Sequence, residues 1–554
     1  MNQLYYGENL QVLREHIADE SVDLIYLDPP FNSKRDYNLL FKSPKGQTSE
    51  AQIEAFEDTW HWNEQAEREF DELLHQSNTD VSEIMKSFRG FLGENDMMAY
   101  LTMMANRLIE LCRVLKSTGS LYLHCDPTAS HYLKIVLDGV MGKENFRNEI
   151  VWRRSHPKGL AFTRFANNHD VIFAYGKSRD KTIWNPSYTK QDPDKADEQY
   201  SLTDEGGRKY QLTSLLNPNP DRPNLTYEFK GVTKVWRWTK ERMLEADAKG
   251  LIVVPRGGKG IPRFKRYFDE QEGIPVSDFW DDIEIALGGE SLGYPTQKPL
   301  ALLGRIISAS SNEGDVVLDP FCGCGTAVHA AQKLNRKWIG IDITCLAISL
   351  IESRLKKSFP ENFGEEEQRR LQYEVHGTPK DLESARDLAK RDKYQFQWWA
   401  VSLVEAQPFQ GKKKGADTGI DGIKFFSIYE TDAKMNPLKK VTYKKTGKIV
   451  VSVKGGEHLK ADDIRALNHV REREGAEIAL FISLEETSNG MKADAASAGF
   501  YESPNGKKFS RVQLLTIEGL LNKSQRAEHP DYEPDLNLKR AKMESNVEQE
   551  GLKL

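Results

Sequence analysis

The sequence predicts an α/β protein of about three or four domains, built around a doubly wound, largely parallel sheet. Short apolar runs, such as DLIYLDPPFN (residues 23–32) and VVLDPFCGCGT (residues 316–326), are typical of buried strands that end on an acid. Helical spacing of apolar residues between such runs predicts the helices that connect parallel strands. The length of 554 residues leaves room for a further domain beyond this sheet.

The composition excludes several classes of protein. Five cysteines are too few for a disulfide framework, and Cys322 and Cys324 are too close together for zinc ligands. No apolar run approaches the ~20 residues of a membrane span, and the N-terminus does not resemble a signal peptide. A net charge of -6 means that any nucleic-acid surface is local. We therefore expect a cytoplasmic, reduced protein with no membrane segment and no metal ligand set.

The first 177 residues contain the elements expected of one half of such a sheet, because apolar runs of strand length alternate with helical patterns. In chain order they are a short N-terminal strand, a helix at 9–17, a strand at 22–27, a polar helical insertion at 45–95, a helix at 97–115, a strand at 120–126 and two strands in NEIVWRR and DVIFAYGK.

Residues 178–290 differ from their surroundings and predict a separate region. Between Lys230 and Arg266 the chain holds eleven Lys and Arg residues against three Asp and Glu, with aromatic residues interleaved. A solvated face is the ordinary interpretation of a charge run. The interleaved aromatics favour DNA contact instead, since Lys and Arg neutralise phosphates and aromatic side chains give them a rigid platform. The candidate DNA-binding residues are Lys234, Arg237, Arg263, Lys265 and Arg266.

A glycine turn follows the predicted strand at residues 316–318. Asp319 ends that strand, and Gly323 and Gly325 come just before a helix, where glycine lets the backbone approach a ligand. The next strand ends on Asp342, 19 residues after Gly323, and an acid at that distance can accept both hydroxyls of a ribose. The turn lacks the third glycine of a dinucleotide fingerprint and the Gly-Lys-Ser/Thr of a P-loop, which disfavours NAD and nucleoside triphosphates.

With these motifs identified, the chain resembles a DNA amino-methyltransferase of the β class over about residues 1–355. That family has a D-P-P-[FY] motif, then a target-recognition region, then F-x-G-x-G, found here at residues 28–31, roughly 178–285, and 321–325. YPTQKPLALLGRII (residues 294–307) matches a further cofactor motif, and GSLYLHCD matches a middle strand. The resemblance implies a Rossmann-like methyltransferase fold that is circularly permuted, with the target-recognition region as an insertion.

The resemblance also implies the chemistry, which needs a flipped-out adenine because its amino group is a poor nucleophile inside the duplex. Phe31 would stack on the base, while the Asp28 carboxylate and the Pro29 carbonyl accept hydrogen bonds from the amino group. Pro29 and Pro30 keep this edge rigid, since their φ angles are fixed. Direct transfer from S-adenosyl-L-methionine would need no metal. The implied catalytic residues are Asp28, Pro29, Pro30 and Phe31, and the implied cofactor residues are Thr296, Lys298, Asp319, Phe321, Gly323, Gly325, Thr326 and Asp342.

The identity of the methylated base also comes from the resemblance. Family members with Asp at the first position of the motif mostly methylate adenine, while Ser there is commoner among cytosine-N4 enzymes. Asp28 therefore favours adenine-N6, with cytosine-N4 as the alternative.

A second resemblance begins with KKKGADTGIDGIKFF and continues in KIVVSVKGG. Both are similar to the Mrr-like branch of the PD-(D/E)xK nuclease fold, in which Gly-x-Asp-x-Gly-Ile-Asp leads to a strand with [EQ]-x-Lys. Asp421 and Lys454 match, but Ser452 stands at the second acid position, and a hydroxyl is a weaker metal ligand than a carboxylate. Mg²⁺ is therefore expected only if this domain is an active nuclease.

Together the motifs divide the chain into regions and leave three functions open. These are a modification methyltransferase with a degenerate nuclease-like module, a bifunctional protein that also cuts DNA, and a binding-only protein, which the intact Asp-Pro-Pro-Phe disfavours. RNA is a less favoured substrate. The predicted regions are a catalytic half (1–177), a target-recognition region (178–290), an S-adenosylmethionine-binding half (291–360), a linker helix (361–392), a nuclease-like domain (393–525) and a flexible tail (526–554).

The resemblance to methyltransferases finally implies partners and a setting. Double-stranded DNA is the expected substrate, in a restriction-modification or phage-defence type system. A second copy of the chain and a separate restriction or helicase subunit are the candidate protein partners, because the sequence contains no helicase motifs. We expect a prokaryotic cytoplasmic protein that is associated with the nucleoid when bound to DNA.

Overall fold

The computed structural model divides the described chain into two compact units. The larger contains residues 1–185 and the described residues from 278 onward, and the smaller contains Pro186–Ser277. The structure describes all residues except 31–35, 43–47, 58–60, 157–164, 190–192, 256, 259, 287–289, 291–296, 360–372, 410–418, 431–441, 457, 504–505 and 531–554.

The first part of the larger unit alternates strands and helices. The predicted strand at 22–27 is confirmed, with all six residues buried. The elements are β1 (Asn2–Tyr6), α1 (Asn9–His16), β2 (Val22–Leu27), β3 (Asp36–Lys42), β4 (Thr48–Glu57), α2 (Glu64–Leu74), α3 (Thr79–Leu92), α4 (Asp96–Val114), β5 (Leu115–Cys125), α5 (Ser130–Met141), β6 (Phe146–Arg153) and β7 (His169–Gly176).

The smaller unit has β8 (Tyr188–Thr189), α6 (Pro193–Gln199), β9 (Leu202–Thr203), β10 (Lys209–Ser214), β11 (Thr226–Phe229), β12 (Val232–Val235), α7 (Lys240–Ala248), β13 (Ile252–Val253), β14 (Arg263–Tyr267) and β15 (Ile274–Pro275). Its main sheet has the order β13–β14–β10–β9, beside a hairpin of β11 and β12. Trp236 is fully buried at the centre of this unit's own hydrophobic cluster, together with Phe229 and Met243.

The chain then returns to the larger unit with a second run of alternating elements. They are β16 (Phe279–Trp280), α8 (Leu300–Ser310), β17 (Val316–Asp319), α9 (Thr326–Lys333), β18 (Lys337–Asp342), α10 (Cys345–Ser358), β19 (Tyr373–His376) and α11 (Leu382–Arg391). The helices and strands predicted between residues 298 and 342 are confirmed.

One nine-stranded sheet contains strands from both runs of the larger unit. Its strand order is β16–β6–β7–β5–β2–β17–β18–β1–β19. Among the described strands of this sheet, β7 is the one that runs antiparallel to its neighbours. Leu318 on β17 pairs with Ile25 on β2, and Asp319 pairs with Gly340 on β18. The carboxyl ends of β2, β17 and β18 therefore meet at one edge, although β2 is far from the others in sequence.

Helix α4 forms the centre of the core on one face of this sheet. Its sequence is apolar around most of its circumference, and residues such as Leu101, Met104 and Leu108 are fully buried. The side chain of Asn95 caps the helix by accepting a hydrogen bond from the Met98 backbone N–H at 2.9 Å. Among the described helices, none combines the length and hydropathy that a membrane crossing requires.

Two segments differ from the sequence predictions. Residues 45–95 were expected to be helical throughout, but α2 begins only at Glu64, after a hairpin in which β3 pairs with β4. Residues 361–392 were expected to form a linker helix, but β19 pairs with β1 at the edge of the main sheet before α11 begins. Strands β4 and β19 form because a partner strand, β3 or β1, supplies their hydrogen bonds. This effect of tertiary structure cannot be read from the polar local composition.

The C-terminal part of the larger unit is a second α/β block. Its elements are α12 (Lys393–Ser402), β20 (Gln407–Pro408), β21 (Gly422–Glu430), β22 (Thr442–Lys454), α13 (Ala461–Arg473), β23 (Ile478–Ser483), α14 (Asn489–Ser497), β24 (Phe500–Glu502), β25 (Lys508–Ser510), β26 (Val512–Thr516) and α15 (Ile517–Leu521). The sheet order is β20–β21–β22–β23–β26, with β21 and β22 antiparallel and β22, β23 and β26 parallel.

Side chains along β22 point alternately to the two faces of the sheet, and this block has a hydrophobic core on each face. Val451 packs into the cluster that contains Trp399 of α12, while the adjacent Val450 packs into the cluster that contains Leu467 of α13. The first cluster also contains Cys345, at the start of α10. The Cys345 N–H donates a hydrogen bond to Gln395 Oε1 at 3.3 Å, so α12 contacts the helix that follows β18.

Candidate active site

A cavity of about 270 Å³ opens at the carboxyl ends of β2, β17 and β18. Small-molecule sites typically range from ~300 to 1,000 Å³, so this cavity is near the lower end. It is lined by Gly7, Glu8 and Asn9 at α1, Tyr26, Asp28, Pro29 and Pro30 at β2, Met103 and Arg107 on α4, Gln297, Lys298 and Leu303 at α8, Asp319, Pro320, Phe321, Cys322, Gly323, Cys324, Thr326 and Ala327 at the glycine turn, and Asp342, Ile343 and Thr344 after β18.

Asp28, Pro29 and Pro30 form the edge of the cavity where β2 ends. The strand stops here because proline lacks the N–H that a sheet ladder needs, and the two fixed φ angles stiffen the edge. The Asp28 side chain is 15% exposed and Pro29 is buried. Phe31, the fourth residue of the motif, lies outside the described residues. The edge therefore presents one carboxylate on a rigid support.

Lys298 contacts this carboxylate from across the cavity. Its Nζ lies 2.7 Å from Oδ1 and 2.5 Å from Oδ2 of Asp28, and its side chain is 9% exposed. The sequence motif around Lys298 had implied a cofactor contact. Thr296, of the same motif, lies outside the described residues. The structure thus brings Lys298 to the Asp-Pro-Pro edge itself.

The glycine turn between β17 and α9 depends on two left-handed residues. Gly323 has a φ of 48° and Gly325 a φ of 75°, values that side chains with a Cβ rarely adopt. A Cβ on Gly325 would also lie 2.6 Å from Cγ1 of Ile351. Gly325 is the N-cap of α9 and, unlike Gly323 and Thr326, is not part of the cavity lining. Its role is therefore to turn the chain into the helix.

Asp319 closes the bottom of the cavity. The side chain accepts a hydrogen bond from the Phe321 backbone N–H at 3.0 Å, which shapes the first bend of the turn. Burial raises the pKa of the Asp319 carboxyl well above its ordinary value, and the neighbouring Asp28 carboxylate acts in the same direction. A second acid therefore lies close to Asp28 in the lining of the same cavity.

Asp342 links the end of β18 to the glycine turn. Its Oδ2 accepts a hydrogen bond from the Gly323 N–H at 2.9 Å, and its Oδ1 accepts two from Thr344, at 2.9 Å from the backbone N–H and 2.8 Å from Oγ1. Burial raises the pKa of Asp342 to about 6 despite these hydrogen bonds. The carboxylate is therefore fixed in orientation before any ligand arrives, as expected for a ribose acceptor.

Arg107 organises a wall of the cavity that the sequence analysis missed. Its Nε donates to Asn9 Oδ1 at 2.6 Å, and its Nη2 donates to Glu8 Oε1 at 2.5 Å. Asn9 Nδ2 in turn donates to the Pro320 carbonyl at 2.9 Å, which ties α1 to the glycine turn. The one available indication was an arginine in the middle of the apolar helix α4, because a buried guanidinium requires such partners.

A buried chain of polar side chains lies behind Asp28. Tyr26, which lines the cavity, is 2.9 Å from Nδ1 of His124 through its hydroxyl, and His124 Nε2 is 3.2 Å from Oδ2 of Asp170. Burial raises the pKa of Tyr26 well above its ordinary value, so the phenol stays protonated. Interactions with His124 oppose burial and lower the pKa of Asp170. These hydrogen bonds hold the Tyr26 and His124 rings in place and connect β2, β5 and β7.

In the smaller unit, the predicted DNA-binding residues lie on two strands and at their ends. Lys234 is on β12, Arg237 follows it, and Arg263, Lys265 and Arg266 are on β14. Lys265 is half-buried, and the other four are exposed. Among the interleaved aromatic residues, Trp236 and Tyr267 are buried, so these rings support the strands from within instead of offering exposed stacking faces.

In the C-terminal block, the residues predicted from the nuclease resemblance lie close together on β22 and before β21. Asp421 Oδ2 accepts a hydrogen bond from the Val453 N–H at 2.6 Å, between Ser452 and Lys454 in sequence. Lys454 Nζ is 3.8 Å from Oδ1 of Asp463 on α13. Within the described residues, no group of three or more His, Cys, Asp or Glu side chains is arranged to hold a metal. The donor set of one carboxylate and a serine hydroxyl does not fit Mg²⁺.

One known family matches a large part of the chain. Residues 22–353 match the model of the N6/N4 family described as DNA methylase, and this segment includes the Asp28 edge, the glycine turn and Asp342. Because this match covers more than half of the chain, the protein belongs to the DNA methylase family.

Two curated relatives illustrate the similarity. The chain is 36% identical over 262 residues to the Type II methyltransferase M.EcaI of Enterobacter cloacae, covering 46% of this chain and 57% of the relative. It is 25% identical over 365 residues to the Mod subunit of the Type III restriction-modification enzyme StyLTI of Salmonella typhimurium, covering 61% and 50%. The chain spans about half the length of the curated relatives it matches.

Solved structures show more distant similarity. The M1.HpyAVI–SAM complex matches at 15% identity and a TM-score of 0.31, covering 64% of this chain and 99% of that one. The cytosine-N4-specific PvuII DNA methyltransferase matches at 13% identity and a TM-score of 0.28, covering 64% and 86%.

Proposed function

We propose that this protein is a site-specific DNA methyltransferase that transfers a methyl group from S-adenosyl-L-methionine to the N6 amino group of a flipped-out adenine. The observation that carries this proposal is the shared cavity: the Asp28-Pro29-Pro30 edge, the glycine turn and Asp342 line the same space. One element is suited to an amino group and the other to a nucleoside cofactor. Such proximity is what a direct transfer between two bound molecules requires.

The Asp-Pro-Pro edge is suited to activating an exocyclic amino group. The Asp28 carboxylate and the Pro29 carbonyl can each accept one hydrogen bond, which localises the nitrogen lone pair and directs it across the cavity. Because the edge is rigid, the acceptors need no reorganisation as charge develops on the nitrogen. Alignment of two bound reactants can supply about 7–11 kcal/mol of the barrier. Phe31 is the proposed stacking partner of the extruded base.

The glycine turn and Asp342 are suited to holding the methyl donor. Asp342 would accept the two ribose hydroxyls, and Gly323 leaves room for close backbone approach. Asp319, Phe321 and Thr326 line the adjoining part of the cavity. S-adenosyl-L-methionine supplies an electrophilic methyl group when bound. The chain's own groups align the amino nitrogen and exclude water, without a covalent enzyme intermediate.

The choice of adenine over cytosine rests on Asp28, because the resemblance associates Asp at this position with adenine-N6 enzymes. Cytosine-N4 methylation is the alternative, and the same edge would activate that amino group by the same hydrogen bonds. The matched family model spans both types of enzyme. The order of the motifs along the chain supports a circularly permuted Rossmann-like fold, in which the Asp-Pro-Pro half precedes the cofactor-binding half.

The smaller unit is proposed to recognise the target sequence. Four exposed basic side chains at β12 and β14 support this role, since each can neutralise a phosphate: Lys234, Arg237, Arg263 and Arg266. Lys265 is half-buried and lies over the Tyr210 ring, with its ammonium 5.3 Å from the ring centroid. The ring limits the conformations of the Lys265 side chain but leaves its positive charge unneutralised.

The C-terminal block is proposed to be an Mrr-like, nuclease-type fold that no longer cuts DNA. The strand order and the positions of Asp421 and Lys454 support the fold, and Ser452 at the second acid position argues against metal-dependent cleavage. A bifunctional enzyme is the alternative, and cleavage of unmethylated DNA on addition of Mg²⁺ would establish it. Lys454→Ala should then abolish cutting; in the favoured proposal, it affects at most DNA affinity.

The proposed setting is a restriction-modification type system. One relative is the Mod subunit of a Type III enzyme, which supports a separate restriction or helicase subunit as a partner. A homodimer on double-stranded DNA is the proposed assembly, and size measurement with and without DNA tests it.

The proposal is tested by methyl incorporation from labelled cofactor into unmethylated bacterial DNA, together with calorimetric measurement of cofactor affinity. Wild-type protein should label DNA, and Asp28→Ala should lose transfer while retaining cofactor affinity within about threefold. Asp126→Ala is the matched control, because Asp126 ends the neighbouring strand β5 but does not line the cavity. Full transfer by Asp28→Ala would contradict the assigned role, as would no transfer by wild-type protein on DNA of varied sequence.

A further inference from the structure

We propose that Lys298 is a positioning residue for the reaction, which orients the Asp28 carboxylate and keeps it a hydrogen-bond acceptor, and that its main role is not cofactor binding. This inference rests on the proposed function, because it concerns how Asp28 is prepared to receive an amino group. It assigns to Lys298 a role different from the one that its sequence motif implies.

The geometry of the pair carries the proposal. Lys298 Nζ is nearly equidistant from both oxygens of Asp28, at 2.7 and 2.5 Å, so the ammonium lies at the open end of the carboxylate. A cation in this position fixes the rotation of the carboxylate, and charge-assisted bonds of this length are strong. With side-chain exposures of 9% and 15%, the pair is shielded from water and salt.

The backbone that carries Lys298 is fixed as well. Pro299 follows it and caps α8, and Leu302 and Leu303 in the first turn of that helix are fully buried. The lysine therefore reaches Asp28 from a rigid base. A residue that acts by placing another side chain needs such support, because a loose lysine would leave the carboxylate free to rotate.

The surrounding charges explain why Asp28 needs a cation. Asp319 lies below it and Asp170 lies in the same buried group, so three carboxylates share a poorly hydrated space with Lys298. Like charges favour protonation, and a protonated carboxyl donates one hydrogen bond where the reaction requires acceptance. The titratable groups that face Asp28 or its partners are Tyr26 on β2, His124 and Cys125 on β5, Asp170 on β7, Asp319 on β17, Cys324 in the glycine turn and Lys298 before α8.

The chain offers a matched control at the other end of the same strand. Lys116 Nζ lies 2.8 Å from each oxygen of the buried Asp23, at the start of β2, and thus forms a pair of the same geometry away from the cavity. Lys116→Gln removes an equivalent ion pair from β2 without altering the site. Any effect common to Lys116→Gln and Lys298→Gln is therefore structural.

The experiment compares wild-type protein, Lys298→Gln, Lys298→Arg and Lys116→Gln. Cofactor affinity is measured by calorimetry without DNA, and single-turnover methyl transfer at saturating cofactor is measured between about pH 5 and 9. For Lys298→Gln we expect cofactor affinity within about threefold of wild type and a rate about 10²-fold lower. The acid limb of its pH profile should move up by at least about 1 pH unit. Lys298→Arg should recover part of the rate, and Lys116→Gln should match wild type in rate and pH profile.

Three outcomes would overturn the inference. A large loss of cofactor affinity in Lys298→Gln with an unchanged saturated rate would make Lys298 a cofactor ligand. An equal loss of rate in Lys116→Gln, or an unmoved acid limb in Lys298→Gln, would make the pair a structural feature of β2. Wild-type protein that transfers no methyl group would instead refute the proposed function. The wild-type measurement therefore distinguishes a failure of the proposed function from a failure of the role assigned to Lys298.

Discussion

Replacing Asp342 with alanine tests the proposal that the end of β18 binds the cofactor. In the structure, this carboxylate is oriented by Gly323 on one oxygen and by Thr344 on the other. Oδ2 retains one free lone-pair direction, whereas Oδ1 already accepts two hydrogen bonds from Thr344, since a carboxylate has about four acceptor sites. One ribose hydroxyl can therefore bind Oδ2 without displacing a donor, and a second would replace the Thr344 hydroxyl on Oδ1.

The expected loss follows from the number of hydrogen bonds. A hydrogen bond to a charged group contributes about 1.5–3 kcal/mol, so two ribose bonds at the lower limit contribute about 3 kcal/mol. That loss corresponds to a roughly 100-fold increase in the dissociation constant for S-adenosyl-L-methionine. The saturated rate of methyl transfer should change much less, because Asp342 does not contact the Asp-Pro-Pro edge.

The pH dependence gives the same prediction a second readout. The pKa of Asp342 in the folded protein is about 6, above its ordinary value of 3.8, because of burial. Wild-type cofactor affinity should therefore weaken as the pH falls through about 6, and the Asp342→Ala variant should lack this step. For folding, the raised pKa means that stability from the protonated form is lost as the pH rises from 3.8 to about 6.

Calorimetry from about pH 5 to 8 measures cofactor affinity and its pH dependence, with Asp392→Ala as the matched control. Asp392 caps α12 by accepting hydrogen bonds from the Tyr394 and Gln395 backbone N–H groups and does not line the cavity, so its loss should cost about 1 kcal/mol of stability and leave cofactor affinity unchanged. If Asp342→Ala binds the cofactor as tightly as wild type, or if Asp392→Ala weakens binding equally, the assignment of Asp342 as the ribose acceptor is wrong.

Other predictions concern the turn, the buried polar chain and the smaller unit. Gly325→Ala should lower thermal stability and cofactor affinity together, because it imposes a Cβ on a left-handed residue packed against an isoleucine side chain. Tyr26→Phe should destabilise the fold by about 1–3 kcal/mol in denaturant titrations, since it leaves His124 without its hydroxyl partner. Joint replacement of Lys234 and Arg263 by Gln should weaken DNA binding and reduce the salt slope of log K by about 1.8 in magnitude, whereas an unchanged slope would exclude phosphate contact.

The elements around the site could be predicted from sequence because each carries a strong local pattern. The strand before Asp28 is a continuous apolar run that ends at two prolines, and the run before Asp319 ends at a glycine turn. The helix that contains residues 97–114 repeats apolar residues at helical spacing. Such patterns depend only on the segment itself, so local reasoning suffices for them.

Features that depend on partners distant in sequence could not be predicted. Lys298 and Asp28 are 270 residues apart, and neither residue type nor spacing indicates that they form a pair. Arg107 likewise joins α4 to the loop before α1 through Glu8, and β19 becomes a strand only because β1 is available as a partner. The motif around Lys298 indicated the cavity that this residue lines but not its contact with Asp28, since a motif gives no side-chain direction.

The central claim is the transfer of a methyl group to adenine N6, and nucleoside mass spectrometry tests it most directly. The purified protein is incubated with labelled S-adenosyl-L-methionine and unmethylated bacterial DNA, without added metal, and the DNA is digested to nucleosides. We expect labelled N6-methyladenine. Labelled N4-methylcytosine would overturn the choice of base while leaving the role of Asp28 intact, and no label on DNA of varied sequence would contradict the claim itself.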